Sequence, residues 1–411
     1  ALFDPATDKL ALLEPVCRAL LARAGHPFRL RRAGSREEAV EGAAFVVTSI
    51  RAGGMDARAA DERLLLDRGL LGQETVGAAG FAKALRTIPP MLEIARAAAA
   101  RAPQAWLINF TNPVGIITEA VRKAARARII GICDTPLELF EGIAQALGAP
   151  MSSLHFDYFG LNHLGWVKGV FQEGVDRLPE LLKEESRLES VYRHRLFDAE
   201  FVRSLGVLPS EYLYYYYSTE KAVANLRRAG QSRAEAVARM NAELWTSLAR
   251  PDDPLHTYER YLAGRNATYM DAETGAQARA QLYTSAAGYD RIALAVMTAI
   301  HGHTRDVIPV DVDNRGAVEG LEDDDVVEVP CVIGLNGALP LATGRPPAGV
   351  AKLLHFVKHY ERMTVSAALE GSAEKAAEAL AANPLIRGRQ LADELLGAFR
   401  TQHAELLSYL R

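Results

Sequence analysis

The chain has 411 residues, of which 49% are hydrophobic and 24% are charged, so it can bury a large core, and we expect two domains rather than one. Its 47 basic and 51 acidic residues give a net charge of −4, and we see no basic stripe for nucleic acid and no polybasic amphipathic segment for a membrane surface. No apolar run reaches the roughly 18 residues that a membrane-spanning helix needs.

The cysteines are few and irregularly placed, at Cys17, Cys133 and Cys331. An odd number without regular spacing argues against a disulfide framework. Free thiols are typical of a reducing compartment, so we expect a cytoplasmic protein.

The first predicted elements alternate between strand and helix. Residues 1–4 are typical of a strand end, and residues 6–25 carry apolar side chains at helical spacing before Gly25 ends the helix. A short strand is predicted in 27–33, and a helix begins after Ser35, which has the capping-box spacing to Glu38.

Longer elements continue this alternation. Strands are predicted at 44–50, 105–110 and 128–133, with helices at 81–100 and 113–125 between them. Continuous apolar strands alternating with helices predict a doubly wound, Rossmann-like parallel sheet over residues 1–155, so the fold class is α/β.

The pattern changes after about residue 155. Helices are predicted at 228–250 and 369–382, and residues 308–321 and 325–341 are typical of antiparallel strands and turns. We therefore predict a second, α+β domain over residues 156–411, which carries substrate and metal sites and contacts between subunits.

Polar or reactive residues follow each strand of the first domain. Since ligands of doubly wound sheets bind at the carboxyl ends of the strands, we expect a site there. The residues at these ends are Asp4, Ser49 with Ile50, Asn109 to Asn112, and Cys133 with Asp134.

Asp4 has two open interpretations. In a dinucleotide-binding fold an acidic residue at the end of the second strand binds the ribose hydroxyls, and the Gly-rich turn lies roughly 20 residues earlier. On that interpretation the first strand and the phosphate loop lie outside the 411 residues. Alternatively, Asp4 only caps the following helix.

Cys133 and His163 are the candidate metal ligands. A thiolate and an imidazole suit a divalent ion such as Mn²⁺, Co²⁺, Ni²⁺, Fe²⁺ or Zn²⁺. Their spacing of thirty residues does not show that they meet, and a packed cysteine with a structural histidine is the alternative. His301 and His303 are also candidates by residue type, and we interpret them as structural.

Eight segments in order resemble glycoside hydrolase family 4, whose members depend on NAD and a divalent metal and act mostly on 6-phosphoglucosides. The segments are spread over residues 47–334, which is most of the chain. They are VTSIRAGGMDARAADE (47–62), GLLGQETVGAAGFAKALRTIP (69–89), INFTNPVGIITEAV (108–121), GICDTP (131–136), GLNHLGW (160–166), LPSEYLYYYY (208–217), SRAEAV (232–237) and VDNRGAVEGL with VEVPCVIG (312–334).

The resemblance implies a route that differs from two-carboxylate hydrolysis. NAD⁺ oxidises sugar C3, a tyrosinate removes the C2 proton beside a metal such as Mn²⁺, the C1 group is expelled, and the hydride returns after water adds. The substrate is a phosphorylated sugar, and the protein is expected to be a homo-oligomer, a dimer or a tetramer.

The resemblance also implies roles for single residues. Tyr212 is the base, Glu74 lies near it and increases its basicity, and Asp134 is the acid. The metal ligands are Cys133 and His163, the substrate contacts are Arg58, Asn112, Asn162 and Arg233, and the cofactor contacts are Asp4, Ser49, Ile50 and Asn109.

Each role has a plainer alternative. Tyr212 could be one of several packing tyrosines, Arg58 and Arg233 could be surface residues, Asn112 could shape the turn before Pro113, and Glu74 could cap a helix.

The anomeric linkage of the substrate and the class of reaction also have alternatives. Asp134 is typical of 6-phospho-α-glucosidases, whereas residues 51–62 and 80–89 look closer to 6-phospho-β-glucosidases, which we favour. A 2-hydroxy-acid dehydrogenase of the lactate/malate type and a non-catalytic nucleotide-binding protein are further alternatives.

Overall fold

A computed structural model of the chain describes residues 1–250, 252–276 and 288–411. Its strands are β1 Phe45–Thr48, β2 Trp106–Asn109, β3 Arg128–Gly131, β4 His155–Leu161, β5 Leu164–Gln172, β6 Val175–Asp176, β7 Leu208–Pro209, β8 Asp306–Asp313, β9 Val326–Gly334 and β10 Gly337–Pro340.

The helices up to residue 217 are α1 Thr7–Arg23, α2 Arg36–Val40, α3 Gly54–Asp67, α4 Gly77–Arg101, α5 Val114–Ala124, α6 Thr135–Leu147, α7 Leu178–Lys183, α8 Glu185–Ser190, α9 Ala199–Leu205 and α10 Tyr214–Tyr217. Those after it are α11 Thr219–Ala229, α12 Arg233–Leu248, α13 Pro254–Ala267, α14 Asp271–Thr274, α15 Gly288–Gly302, α16 Ala348–Glu370, α17 Ala373–Ala382 and α18 Arg389–Gln402. Short 3₁₀ helices lie at Met151–Ser153 and Glu211–Leu213.

The main sheet has the order β1-β2-β3-β8-β9-β10 within the described residues. Strands β1, β2 and β3 run parallel, as predicted from their continuous apolar sequences. From β8 onward the pairing is antiparallel, beginning where Gly131 of β3 lies opposite Asp311. The fold class is confirmed, and the predicted antiparallel strands extend the first sheet rather than forming a separate one.

A second, antiparallel sheet is built on the hairpin of β4 and β5, to which β6 and β7 add short pairings. Asn162 and His163 form the two-residue turn of this hairpin. His163 has a φ of 124°, a backbone conformation uncommon outside glycine. The hairpin therefore fixes the imidazole at one definite place.

The main core joins both sheets through buried side chains such as Phe81, Ile130, Trp166 and Val329. Gly131 is a point of close contact in it, because a Cβ there would lie 2.6 Å from Thr118 Oγ1 and 2.7 Å from Asp311 Cβ. This glycine lets β3 lie close to α5 and β8 two residues before Cys133.

Several local predictions are confirmed near the N-terminus. Helix α1 ends before Gly25, whose φ is 76°, and the Ser35 hydroxyl accepts a hydrogen bond from the Glu38 backbone N–H at 3.1 Å. The capping box is only half formed, because the Glu38 carboxylate bonds the Gly34 N–H. The strand predicted in 27–33 is reduced to a parallel bridge between Leu2 and Arg32.

The three cysteines are free thiols, as their irregular spacing indicates. Of the helices in the described ranges, none combines the length and the apolarity that crossing a membrane requires.

Candidate active site

Cys133 and His163 meet beyond the carboxyl end of β3. Cys133 follows that strand by two residues, and its sulfur lies 3.3 Å from His163 Nε2. Both side chains are buried. The contact between these two residues, which the spacing alone left open, is therefore present, and their assignment as metal ligands stays a prediction.

The tautomer of His163 follows from its other ring nitrogen. His163 Nδ1 lies 3.1 Å from Thr75 Oγ1, and the Thr75 hydroxyl donates its proton to Gln73 Oε1 at 3.0 Å. Nδ1 must therefore carry the hydrogen, which leaves the Nε2 lone pair directed at Cys133. Burial lowers the pKa of His163 to about 3, which keeps the imidazole neutral.

A metal ion fits this pair by its donor chemistry. Burial, Glu328 and Asp134 raise the pKa of Cys133 well above its ordinary value, and a nearby cation would reverse that shift by favouring the thiolate. Among the described residues no group of three or more His, Cys, Asp or Glu side chains is arranged to hold a metal. The pair would therefore leave coordination positions open to substrate and water.

Tyr212 lies against the imidazole. Its ring stacks on that of His163 with the centroids 3.9 Å apart and the planes 13° from parallel. Its hydroxyl lies 3.2 Å from that of Tyr269, which donates to Glu211 Oε1 at 2.7 Å. Burial, followed by the charge of Glu211, raises the pKa of Tyr212 well above 10.

Glu74 is surrounded by cations. Its carboxylate pairs with Arg51, with Arg58 Nη1 at 3.1 Å and with Lys83 Nζ at 3.4 Å. Burial alone would raise the pKa of Glu74, but Arg58, Lys83 and Arg51 outweigh it and hold the pKa well below its usual range. Its ion pairs in the described part of the chain go to these cations rather than to the Tyr212 hydroxyl, and its predicted role in increasing the basicity of Tyr212 stays a prediction.

Lys83 is a cation that the sequence interpretation missed. It is buried on α4, and burial lowers its pKa to about 7 against the opposing charge of Glu74. The segment that contains it was part of the family resemblance, but a lysine in an alanine-rich helix gives no local signal of a site.

The two predicted phosphate-binding arginines are both engaged. Arg58 is a buried residue of α3 that bonds Glu62 Oε1 at 2.8 Å as well as Glu74. Arg233 begins α12 and donates to the carbonyl oxygens of Thr268 and Arg265 at 3.0 and 2.7 Å. Neither is an unbound surface residue, and their contacts to a substrate stay predictions.

The two asparagines have different surroundings. Asn112 precedes Pro113 through a cis peptide bond, and its Oδ1 is buried without a hydrogen-bond partner in the described residues, so it can accept a bond from a ligand. Asn162 is already bonded, because its Oδ1 accepts from the Val114 N–H at 3.2 Å and its amide donates to Glu328 at 3.4 Å. Asn162 thus holds the turn that carries His163.

Asp134 belongs to an acidic cluster with Glu138 and Glu211. Burial and then Glu138 raise the pKa of Asp134 to about 7. Burial also raises the pKa of Glu138 to about 8 and that of Glu211 to about 7, in each case against the charge of Arg193. Asp134 can therefore carry a proton near neutral pH, as a general acid must.

The predicted cofactor contacts lie at the carboxyl ends of β1 and β2. Ser49 is exposed, and the Ile50 N–H donates to Thr111 Oγ1 at 3.1 Å. Asn109 is fully buried, and its Oδ1 accepts from the Thr48 hydroxyl and the Thr111 N–H, both at 2.9 Å. Its amide thus stabilises the strand ends, and its contact with a cofactor stays a prediction.

Asp4 is exposed and accepts a hydrogen bond from the Ala6 N–H at 2.7 Å. This bond shapes the entry to α1 and leaves a second carboxylate oxygen for a ligand. His303 accepts from the Leu335 N–H at 2.9 Å, which agrees with the structural role expected for it.

Both parts of the chain match models of one family. Residues 1–149 match the family 4 glycosyl hydrolase model, and residues 158–386 match the model of the family 4 glycosyl hydrolase C-terminal domain.

Relatives with both anomeric specificities are similar to the chain. A probable 6-phospho-beta-glucosidase of Bacillus subtilis is 31% identical over 407 residues, covering 96% of this chain and 87% of that protein. A phospho-alpha-glucosidase of Clostridium acetobutylicum is 32% identical over 381 residues, covering 88% and 80%.

The fold is similar to a solved structure as well. The 6-phospho-beta glucosidase from Thermotoga maritima, in a form with NAD and glucose-6-phosphate, is 27% identical and has a TM-score of 0.81, covering 98% of this chain and 90% of that one. From the two family models and the full-length relatives, we conclude that this chain belongs to the family 4 glycosyl hydrolases.

Proposed function

We propose that the protein hydrolyses 6-phospho-β-glucosides, for example phosphorylated disaccharides of the cellobiose type, with NAD and a divalent metal, most simply Mn²⁺. The observation that carries the proposal is the grouping of Cys133, His163 and Tyr212 at the carboxyl end of the sheet, with the tyrosine ring stacked 3.9 Å from the imidazole. A hydroxy-acid dehydrogenase has no need of this grouping.

The cofactors supply chemistry that amino acids lack. When bound, the metal would supply positive charge that stabilises the sugar oxygens, and NAD⁺ would supply a reversible hydride acceptor for sugar C3. Cys133 Sγ and His163 Nε2 would hold the metal, and the Thr75 hydroxyl keeps the imidazole in the tautomer that can bind it.

Tyr212 and Asp134 move the protons. We assign the Tyr212 phenolate oxygen to take the proton from sugar C2, and the Asp134 carboxyl to give a proton to the departing glycosidic oxygen. A pKa of about 7 lets Asp134 be protonated in part of the molecules at neutral pH. Tyr212 needs a nearby cation to ionise, since its own surroundings raise its pKa.

The phosphate end of the sugar is assigned to Arg58, Arg233 and Asn112. Arg58 is paired with Glu74, so an incoming phosphate would share a guanidinium that is already fixed in place. Glu74 thereby keeps Arg58 and Lys83 from repelling each other before the substrate binds. Asn112 Oδ1 would accept a hydrogen bond from a sugar hydroxyl.

The α-linked substrate is the second candidate, because a specific observation favours it. Asp134 is the residue typical of the α-type members, and its raised pKa suits an acid for either anomer. Relatives named for either anomer are similar to this chain, at 31% identity over 96% of it for the β-type protein and 32% over 88% of it for the α-type protein, and further β-named relatives support the β-linked substrate.

The test uses matched α- and β-linked 6-phosphoglucosides with Mn²⁺ and reductant, with and without NAD⁺. Release of sugar phosphate from the β-linked compound only when NAD⁺ and metal are present is the expected result. Release from the α-linked compound alone would contradict the anomer. Net NADH formation on hydroxy acids without sugar release would contradict the glycosidase.

The compartment and the assembly are further parts of the proposal. The free thiols, two of them buried, support a reducing cytoplasm. A homo-oligomer, a dimer or a tetramer, is proposed by analogy with the family, and the molar mass in solution tests it.

A further inference from the structure

Two residues outside the predicted site extend the contacts of the Tyr212 hydroxyl. Tyr269 lies between α13 and α14, and its hydroxyl is 3.2 Å from that of Tyr212 and 2.7 Å from Glu211 Oε1. Glu211 is the neighbour of Tyr212 in the 3₁₀ helix Glu211–Leu213. The three side chains therefore form one hydrogen-bonded chain, brought together from positions 57 residues apart.

The hydrogen bonds among Tyr212, Tyr269 and Glu211 indicate where the hydroxyl hydrogen atoms lie. Tyr269 has one hydroxyl proton, and the ionised Glu211 carboxylate at the shorter distance is the stronger acceptor, so with Glu211 ionised that proton is directed at Glu211. The Tyr269 oxygen then presents a lone pair to Tyr212. The neutral Tyr212 hydroxyl is thus turned towards Tyr269, and when Tyr212 is ionised the Tyr269 proton can turn back to its oxygen.

Two independent contacts hold Tyr212. The stacking on His163 sets the plane of the ring, with the planes 13° from parallel. The ring could still shift within that plane. The hydrogen bond to the Tyr269 hydroxyl limits this movement and so fixes the position of the Tyr212 oxygen. A general base must lie within hydrogen-bond reach of the proton it takes, and small displacements reduce the rate.

We propose that Tyr269, itself held by Glu211, is a positioning residue that fixes the oxygen of Tyr212 for removal of the C2 proton. The inference rests on the proposed function. Tyr269 acts through Tyr212 and does not contact the sugar.

The test compares Tyr269→Phe with Tyr261→Phe. Tyr261 is a matched control, because its hydroxyl is also part-buried and bonds one side chain, Asn241 Oδ1, at 2.6 Å. Both variants are assayed on a 6-phospho-β-glucoside with hydrogen or deuterium at C2, with NAD⁺ and Mn²⁺ present. For Tyr269→Phe we expect kcat to fall about tenfold, the size of one lost hydrogen bond, with KM within about twofold.

The isotope effect separates positioning from general damage. If C2 proton removal alone is slowed, the C2 deuterium effect on kcat must rise in Tyr269→Phe and stay at the wild-type value in Tyr261→Phe. Glu211→Gln keeps an acceptor for Tyr269 and should lose less than Tyr269→Phe does. It also provides a second reading if Tyr269→Phe folds poorly.

Three outcomes would overturn the inference. They are an unchanged kcat and isotope effect in Tyr269→Phe, a loss confined to KM, and an equal loss in the Tyr261→Phe control. The assay of the wild-type protein separates the positioning role of Tyr269 from the proposed glycosidase function on which it rests. An active wild type with an unaffected Tyr269→Phe contradicts only the positioning role, whereas an inactive wild type contradicts the proposed function and the inference with it.

Discussion

Tyr212 lies close to four other tyrosines in the sequence, and its position in the structure rather than its residue type distinguishes it from them. Tyr214 and Tyr215 are buried in the core, and the Tyr214 hydroxyl donates to the Glu273 carbonyl at 3.0 Å. Within the described residues only Tyr212 of this run stacks on the imidazole of His163. The family pattern selected this tyrosine, whereas the sequence by itself left all five equal.

Replacing Tyr212 by Phe should therefore remove activity and leave the fold intact. Loss of a general base lowers the rate by about 10² to 10⁴. Tyr214→Phe is the control, since it should keep its activity and lose only about 1 kcal/mol of stability with its hydrogen bond. Steady-state kinetics and thermal unfolding of both variants measure this, and equal activities in the two would refute the assignment of Tyr212.

Thr75 should control the affinity of the metal site. Thr75→Val removes the acceptor that holds the proton on His163 Nδ1, so we expect Mn²⁺ to bind about 10- to 100-fold more weakly. Thr75→Ser keeps the hydroxyl and should bind Mn²⁺ nearly as wild type does. Calorimetric titration of the metal gives both constants, and equal binding by Val and Ser variants would contradict the role.

A physical difference separates the site residues that could be predicted from the sequence from those that could not. Cys133 and His163 stand in short segments with their own pattern, at a strand end and in a Gly-bounded turn. Tyr269, Lys83 and Glu211 gain their surroundings only when distant elements pack together. Local sequence does not record such neighbours, so they could not have been selected before the structure.

At the scale of elements, Gly131 allows β3 to pack closely against α5 and β8. A side chain at Gly131 would meet Val114 Cγ1 at 2.6 Å and Thr118 Oγ1 at 2.6 Å, which are parts of the helix α5. We expect Gly131→Ala to reduce the free energy of unfolding by about 1–3 kcal/mol through overpacking, and to weaken metal binding because Cys133 follows two residues later.

Gly397→Ala is the matched control for Gly131→Ala. It lies within α18, where an added Cβ meets nothing within 4 Å, so alanine should stabilise the helix by about 0.5–1 kcal/mol. Chemical unfolding of both variants gives the two values. A neutral Gly131→Ala would show that α5 and β8 can move apart freely.

The acidic cluster around α6 should make stability depend on pH. Burial and Glu211 raise the pKa of Glu138 to about 8, above its value in the unfolded chain. The folded state therefore holds more protons between about pH 4.5 and pH 8, and stability falls as the pH rises through this window. Glu138→Gln should unfold at a higher temperature than wild type at pH 8 and at a similar temperature at pH 4.5. Parallel melting curves in the two buffers would contradict this.

The elements themselves were predicted unevenly. The parallel strands β1 to β3 and the helices α4 and α5 were predicted because a continuous apolar run followed by a helical period is a local signal, whereas helix α3 between β1 and β2 was not predicted. Strands β8 to β10 were also recognised as antiparallel, but their union with β3 was not. Which strands share a sheet is decided by distant packing, as at the pairing of Gly131 with Asp311.

At the scale of the whole molecule, the two sheets bring the site together. The main sheet supplies Cys133 and Asp134 after β3, and the hairpin of the second sheet supplies His163. The 3₁₀ helix Glu211–Leu213 supplies Tyr212, and the segment between α13 and α14 supplies Tyr269. The cations around Glu74 come from the loop after β1, from α3 and from α4. The site thus depends on the docking of elements from both parts of the chain, which is why neither part is expected to be active alone.

The central claim is that hydrolysis proceeds through removal of the C2 proton rather than through direct displacement at C1. The most direct test is hydrolysis of a 6-phospho-β-glucoside in D₂O, followed by NMR of the recovered glucose-6-phosphate. We expect deuterium at C2 of the product. When NAD⁺ or the metal is withheld, we expect no product to form. Product formed at full rate with only hydrogen at C2 would contradict the central claim.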